Sequence, residues 1–249
     1  MVAPGRSRTP GPVDPLAVSP FPTSLTHWWL ADDLAAVGDG NAVSSWTDRI
    51  SGVAVANTST ARPLYRATGL GSQPSVEFDG SNDSLVYSAS DPVATTNVGA
   101  VIAVVTFGAT TGSVWSSGDD AVSTRYMFGN LTSSRLRMQS AQNASADLVS
   151  FSQSTGTGIF EWQANGIWEL RKNNAVQAFT VDGGANVGRW FGGVTGRDRF
   201  SLGSLASNNT QNNYLTGHIA SLMILNAPLT DPHRAPLYGY LSDKYSIAI

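Results

Sequence analysis

The stretch "GAVIAVVTF", residues 99–107, decides how this chain is read. It is a continuous run of small, β-branched and aromatic residues of strand rather than helix length, and without polar alternation it reads as a strand covered on both faces. Upstream, "PSVEFDG" at 74–80 sets Val76 and Phe78 against Ser75, Glu77 and Asp79. That is a half-buried strand ending in an Asp-Gly turn, and "SLVYS" at 84–88 is expected to return as its hairpin partner. Downstream come "SVWSSG", "RYMFGN", "SRLRMQS", "GIFEWQAN", "GIWELRKN", "AVQAFTV", "RFSLGSL" and "TGHIASLMILN". So many short strands with no long helix between them predict an all-β sandwich of two stacked antiparallel sheets.

The final segment, "LTDPHRAPLYGYLSDKYSI" at 229–247, follows another period. Thr230 stands as an N-cap before Asp231 and Pro232, and Leu237, Tyr240, Leu241 and Tyr245 recur at helical spacing. Because Pro236 interrupts the pattern, an irregular first turn and a short C-terminal helix over about 235–244 are expected, packed on a sheet edge or face.

The 249 residues are 41% hydrophobic and 13% charged, enough for one substantial core in a single all-β domain. A net charge of −3 gives no long-range attraction for polyanions, so nucleic acid is not expected as a partner and any basic site must be local. With no cysteine, disulfides and thiolate metal sites are excluded. No signal-peptide core is visible at the start, and the longest apolar run, 100–107, is too short to span a bilayer, so a membrane partner is not expected either.

Residues 1–24 hold half of the twelve prolines, with Arg6 and Arg8 among them. Such a segment cannot pair into a central strand or build a helix. It suits a disordered tail, or an extended arm laid on a neighbouring surface, with 25–249 forming the folded domain. In the second reading Arg6, Arg8, Pro10, Pro12, Pro15, Pro20, Phe21 and Pro22 make the partner contacts.

Three stretches in order, "WWLADDL" with "DGNAVSSWTDRISG" (28–52), "ARPLYRATGLGSQPSVEFDGSNDSL" (61–85) and "GHIASLMILNAPLTDPHRAPLYGYLSDKY" (217–245), resemble the concanavalin A-like lectin/glucanase superfamily in its laminin-G-like form. The resemblance covers Trp28 to Ile249. It implies a jelly-roll with one concave and one convex sheet, and a first strand paired with the C-terminal "HIASLMILN" strand. Trp28 and Trp29 point to opposite faces of that first strand, so one is expected in the core and the other towards the arm or a neighbour. Trp46 is expected in the core, and Asp48 to fix its loop through side-chain to backbone hydrogen bonds.

Glycan-cleaving relatives use two carboxylates across the concave sheet. Glutamate is scarce here, limited to Glu77, Glu161 and Glu169, and the E-x-D-x-x-E pattern is missing. Glu161 and Glu169 flank a Gly166 turn, either facing across a hairpin or solvated on an exposed face. Neither a G-x-S-x-G elbow nor a phosphate-cradling loop is present, and no cofactor is implied. Asp79, Asn82 and Asp83 offer hard oxygen ligands for calcium, although ordinary turn chemistry accounts for them equally. A sugar site needs an exposed aromatic beside planar polar groups, for which Trp162, Trp168 and Trp190 with Arg171, Asn173 and Asn174 are the candidates.

These features predict a non-catalytic phage structural protein, decorating a capsid or associated with a tail. It would be made in the host cytoplasm, carried in the virion and anchored by its arm to other virion proteins, and by analogy homo-oligomeric, trimers included. The alternative is a carbohydrate-binding or adhesion module for cell-surface glycan. A glycan hydrolase is the third reading.

Overall fold

The structure, a computed structural model, describes residues 23–87, 91–93, 95–142, 145–181, 188–207 and 210–249. The proposed arm contacts Arg6, Arg8, Pro10, Pro12, Pro15, Pro20, Phe21 and Pro22 lie outside that set. In chain order the strands are β1 (Leu25–Leu30), β2 (Ser45–Thr47), β3 (Ala54–Ala56), β4 (Leu64–Leu70), β5 (Gln73–Asp79) and β6 (Leu85–Tyr87). Next come β7 (Val98–Phe107), β8 (Gly112–Gly118), β9 (Arg125–Thr132), β10 (Arg135–Gln142), β11 (Ser145–Ser152), β12 (Gly156–Asn165) and β13 (Trp168–Lys172). The last are β14 (Ala175–Val176), β15 (Thr180–Val181), β16 (Arg199–Leu202), β17 (Leu205–Ser207), β18 (Thr210–Asn212) and β19 (Thr216–Leu225), followed by the helix α1 (Asp231–Tyr245).

Among the described residues, one antiparallel sheet has eight strands in the order β14-β13-β12-β7-β19-β5-β4, with β1 also paired to β19. A second has nine, β15-β11-β10-β9-β8-β16-β6-β3-β2, and β17 and β18 form a separate hairpin. The expected all-β sandwich is the observed fold. Strand β1 pairs with β19, with Trp28 opposite Met223 and Trp29 opposite Leu222.

Strand β7 is central, and its side chains divide by parity. Val101, Ala103, Val105 and Phe107 join the core between the sheets. Ala100, Ile102 and Val104 point the other way, into a second apolar cluster with Leu237, Tyr238, Leu241 and Tyr245 of α1. A run apolar at every position is what a strand covered on both faces requires.

The same helix corrects the expectation for the tryptophan pair, since Trp28 and Trp29 are both fully buried. Trp29 stacks on Phe200 between the sheets, ring centroids 5.4 Å apart. Trp28 meets Tyr240 of α1 edge-on at 6.3 Å and donates from Nε1 to Ser221 Oγ at 2.9 Å. Opposite faces of one strand can both be core once a helix closes the outer one. α1 also begins earlier than expected and runs through Pro236, with Pro232 in its first turn.

Trp46 is buried, and Asp48 fixes its loop as expected. Its Oδ1 accepts from the backbone of Trp28 (3.2 Å), Ile50 (2.8 Å) and Ser51 (3.1 Å), and its Oδ2 accepts from Val53 (3.1 Å). The expected hairpin around "DGSNDS" is not formed. β5 pairs with β4 and β19 in one sheet, while β6 pairs with β16 and β3 in the other. The Asp-Gly turn, with Gly80 at φ 78°, therefore carries the chain between layers.

Candidate functional site

With one outer sheet face closed by α1, the other is where side chains meet solvent, and alternation chooses them. On β9, Met127 and Leu131 enter the core while Tyr126, Phe128, Asn130 and Thr132 point outward; on β10, Leu136 and Met138 point in and Arg135, Arg137 and Gln139 point out. Register sets Arg137 opposite Asn130 and Gln139 opposite Phe128. Across the sheet, Arg199 of β16 and Val86 of β6 share that outer face.

The β17–β18 hairpin crosses this face above β8. Ser116 Oγ donates to Ser204 O and accepts from the Ala206 backbone N–H, both at 2.9 Å. On one side of it a cleft of about 410 Å³ opens above β3, β6 and β16, lined among others by Asn57, Ser59, Asn82, Arg199, Gln211 and Tyr214. Some of these groups are committed to the fold. Asn57 donates to Ala61 O (2.6 Å) and Ser84 O (3.0 Å) and accepts from Ser59 N (2.9 Å), while Gln211 Oε1 accepts from Ser84 Oγ. Arg199 is oriented by Asp120 at 2.5 Å. The Tyr214 ring, anchored by its hydroxyl on Gln211 O at 3.0 Å, stands partly exposed beside the Asn82 and Gln211 side chains. An aromatic face flanked by planar polar groups is the composition a sugar site needs.

Beyond the hairpin, Tyr126 and Phe128 stack at 5.4 Å, and Gln139 Nε2 donates to the Tyr126 hydroxyl at 2.9 Å. Burial pushes the Tyr126 phenol up, against the Gln139 bond, so it stays neutral. Asn130 Oδ1 and Arg137 Nε are buried without a hydrogen-bond partner among the described residues, a state that costs about 1–3 kcal/mol per group.

The sugar-site candidates read from sequence lie elsewhere. All seven tryptophans are buried, Trp162, Trp168 and Trp190 at 1% exposure or less, so none offers a ring for stacking. The Trp162 and Trp168 indoles donate to Arg137 O (3.0 Å) and Arg189 O (2.7 Å). Arg171 pairs with Glu169 at 2.7 Å and donates to Asn174 O at 3.0 Å. Asn173 and Asn174 take left-handed backbone at the β13–β14 turn, and Asn173 Oδ1 accepts from Ile159 N at 2.9 Å. These are hairpin-tip roles.

The carboxylates are likewise engaged. Glu77 pairs with Arg66 (2.5 Å) and Glu169 with Arg171. Glu161, expected to face Glu169 or solvent, is instead fully buried beneath α1, 3.1 Å from Arg234 and accepting from the Tyr238 hydroxyl at 2.9 Å. No two glutamates face one another. Asp79 Oδ1 accepts from the backbone of Ser81 (2.8 Å) and Asn82 (3.2 Å), and Asp83 Oδ2 accepts from Asp79 N (3.0 Å), which is turn chemistry. Among the described residues no three His, Asp or Glu side chains gather as a metal site. His27, Asp48 and Ser51 do cluster, but carboxylate and hydroxyl both lie on Nδ1 while Nε2 faces Pro92 O at 3.3 Å. A proton relay needs them on opposite ring nitrogens.

Sequence reasoning missed the outward set on β9 and β10. The signal was there, since Tyr126, Phe128 and Asn130 alternate with Met127, and Arg135, Arg137 and Gln139 alternate with Leu136 and Met138.

No protein-family model and no curated protein matches the chain. Solved structures do. The CBM40 of the Ruminococcus gnavus IT-sialidase bound to α2,3-sialyllactose superposes with a TM-score of 0.53 at 15% identity, covering 64% of this chain and 92% of that one. The leech intramolecular trans-sialidase complexed with 2,7-anhydro-Neu5Ac gives 0.52 at 14%, covering 64% of this chain and 26% of that one. The Trypanosoma rangeli sialidase in complex with the inhibitor DANA gives 0.56 at 14%, covering 92% of this chain and 35% of that one. At such identities the likeness is one of fold, a lectin-like β-sandwich.

Proposed function

We propose that this chain is a carbohydrate-binding module that holds glycan on the outer face of its nine-stranded sheet. The observation that carries the reading is the cleft of about 410 Å³ beside the crossing hairpin, whose lining brings Tyr214 together with Asn82, Gln211 and Arg199. The R. gnavus CBM40, matched over 92% of its length and bound to a sialylated lactose, supports it. The phage structural reading rests on the leader, outside the described residues, and the neighbours named above do not support it. The hydrolase reading draws no support from the three glutamates, each of which pairs with an arginine.

A glycan array probed with the full chain tests the proposal, followed by calorimetry on the best ligand. Tyr214→Ala is expected to weaken that binding at least tenfold, about 1.4 kcal/mol, without altering the fold. An array with no signal, or full affinity retained by the Tyr214→Ala and Gln211→Ala variants, would overturn it.

A further inference from the structure

We propose that the part of this face beyond the hairpin is a second subsite, centred on Arg137 and Asn130, that reads the carboxylate of an acidic sugar. The inference rests on the reading of the face as glycan-binding and specifies its ligand class.

Of the eleven described arginines eight are held by acids, and Arg62, Arg135 and Arg137 are the exceptions. Arg49, Arg66, Arg125, Arg171, Arg189, Arg197, Arg199 and Arg234 each pair with a carboxylate. Among the described residues Arg137 has no such partner, and its Nε is buried with no acceptor. Directly across the ladder stands Asn130, 3% exposed, its Nδ2 committed to Thr132 Oγ1 at 2.8 Å and its Oδ1 lacking a donor. A charged donor and a neutral acceptor thus stand at paired positions of neighbouring strands, neither with a hydrogen-bond partner among the described residues.

The surroundings define the missing group. Arg135 lies two residues along β10 on the same face, its Nε on Ser150 Oγ at 2.8 Å, which adds a second positive charge. The outward positions of β9 and β10 carry no acid, and the nearest carboxylate on β11, Asp147, points to the opposite face and pairs with Arg189 at 3.4 Å. In a chain of net charge −3 this is a local positive patch. A guanidinium takes a carboxylate through two parallel charge-assisted bonds, and an adjacent amide oxygen accepts from a sugar hydroxyl or acetamido N–H. The Tyr126–Phe128 pair supplies an apolar edge for the ring. A bare anion would use the arginine and leave Asn130 unmet, so the arrangement fits a sugar acid rather than a free ion.

The test is titration of the full chain, followed by backbone amide NMR, with sodium glucuronate, N-acetylneuraminate, the uncharged methyl ester of glucuronic acid, glucose and sodium sulfate. The two acids are expected to shift the β9 and β10 amides and to bind at least tenfold more tightly than the ester, glucose or sulfate. Arg137→Gln should abolish this preference with the melting temperature little changed, and Arg137→Lys should retain part of it. Asn130→Asp, which sets a negative charge against the ligand carboxylate, should remove acid binding even if Arg137→Gln folds poorly. Equal binding of acid and ester, sulfate binding as well as glucuronate, or acid binding unaffected by both Arg137→Gln and Asn130→Asp would overturn the subsite. Loss of the subsite alone, with array binding through Tyr214 retained, would leave the carbohydrate-binding reading standing.

Discussion

Glu161 of β12 and Arg234 of α1 meet at 3.1 Å with both side chains buried, and this contact fastens the helix to the outer face of the eight-stranded sheet. Arg234 also donates to Gln163 Oε1 (3.3 Å), Leu229 O and Asp231, and Tyr238 completes the coordination of Glu161. Arg234→Met strands a buried carboxylate, and such losses cost about 3–5 kcal/mol. Urea denaturation should register that drop, and adding Glu161→Leu to Arg234→Met should recover part of it. A drop below about 1 kcal/mol for the single variant would contradict the role given to the pair.

Asp48 should make the domain acid-sensitive. Burial alone would raise its pKa, but hydrogen bonds from His27, Ser51 and the backbone of Ile50 and Ser51 hold the carboxyl well below the usual carboxylate range. A depressed carboxylate stabilises the fold above its unfolded pKa, and this contribution fades as pH falls below about 4. Asp48→Asn should lose about 2–3 kcal/mol at neutral pH, and the gap to wild type should narrow in acid. Melting curves at neutral and acid pH check both, and a gap independent of pH would refute the assignment.

His218 acts in a neighbouring window with the same sign. Burial lowers its pKa, against the pull of Glu77, so the neutral ring is favoured, with Nδ1 3.1 Å from Ser75 Oγ and Arg66 also nearby. The unfolded chain takes up the proton first, so stability is present above about pH 6.5 and declines as pH falls through the folded value. His218→Gln should flatten the stability profile between about pH 7 and 5. Chemical denaturation across that range is the measurement, and an unchanged slope would dispose of the prediction.

Gly129 tests the floor of the candidate site. A Cβ there would lie 2.4 Å from Trp115 Nε1 and 2.8 Å from Trp162 Cε2, in a sheet position whose neighbours Asn130 and Phe128 face outward. Gly129→Ala must displace two packed indoles, and overpacking of this kind costs about 1–3 kcal/mol. A lower melting temperature and altered tryptophan emission are expected, and a neutral substitution would show that these indoles have room to move.

Much of the architecture was legible because strand alternation is a local property. The run at 99–107 had no polar face, Trp46 and Asp48 sat where a buried ring and a loop-fixing carboxylate belong, and β1 and β19 paired as the resemblance implied. What alternation does not say is what covers each face. One ring of the Trp28–Trp29 pair had no cover legible in the sequence, because α1 supplies it over Trp28, and Trp162, Trp168 and Trp190 looked available because ring type, not depth, was read. "DGSNDS" has hairpin chemistry at the turn, but the following strand finds better partners in β16 and β3. The Tyr214 cleft joins residues from across most of the chain, and no local pattern brings Asn82 to Gln211.

The closed face beneath α1 has a practical side. Only two lysines occur in the chain, Lys172 on β13 and Lys244 on α1, both belonging to the eight-stranded layer and its helical cover. Lysine-directed coupling to a bead or sensor chip would therefore attach the molecule through that layer and its helix, and not through the strands of the nine-stranded sheet.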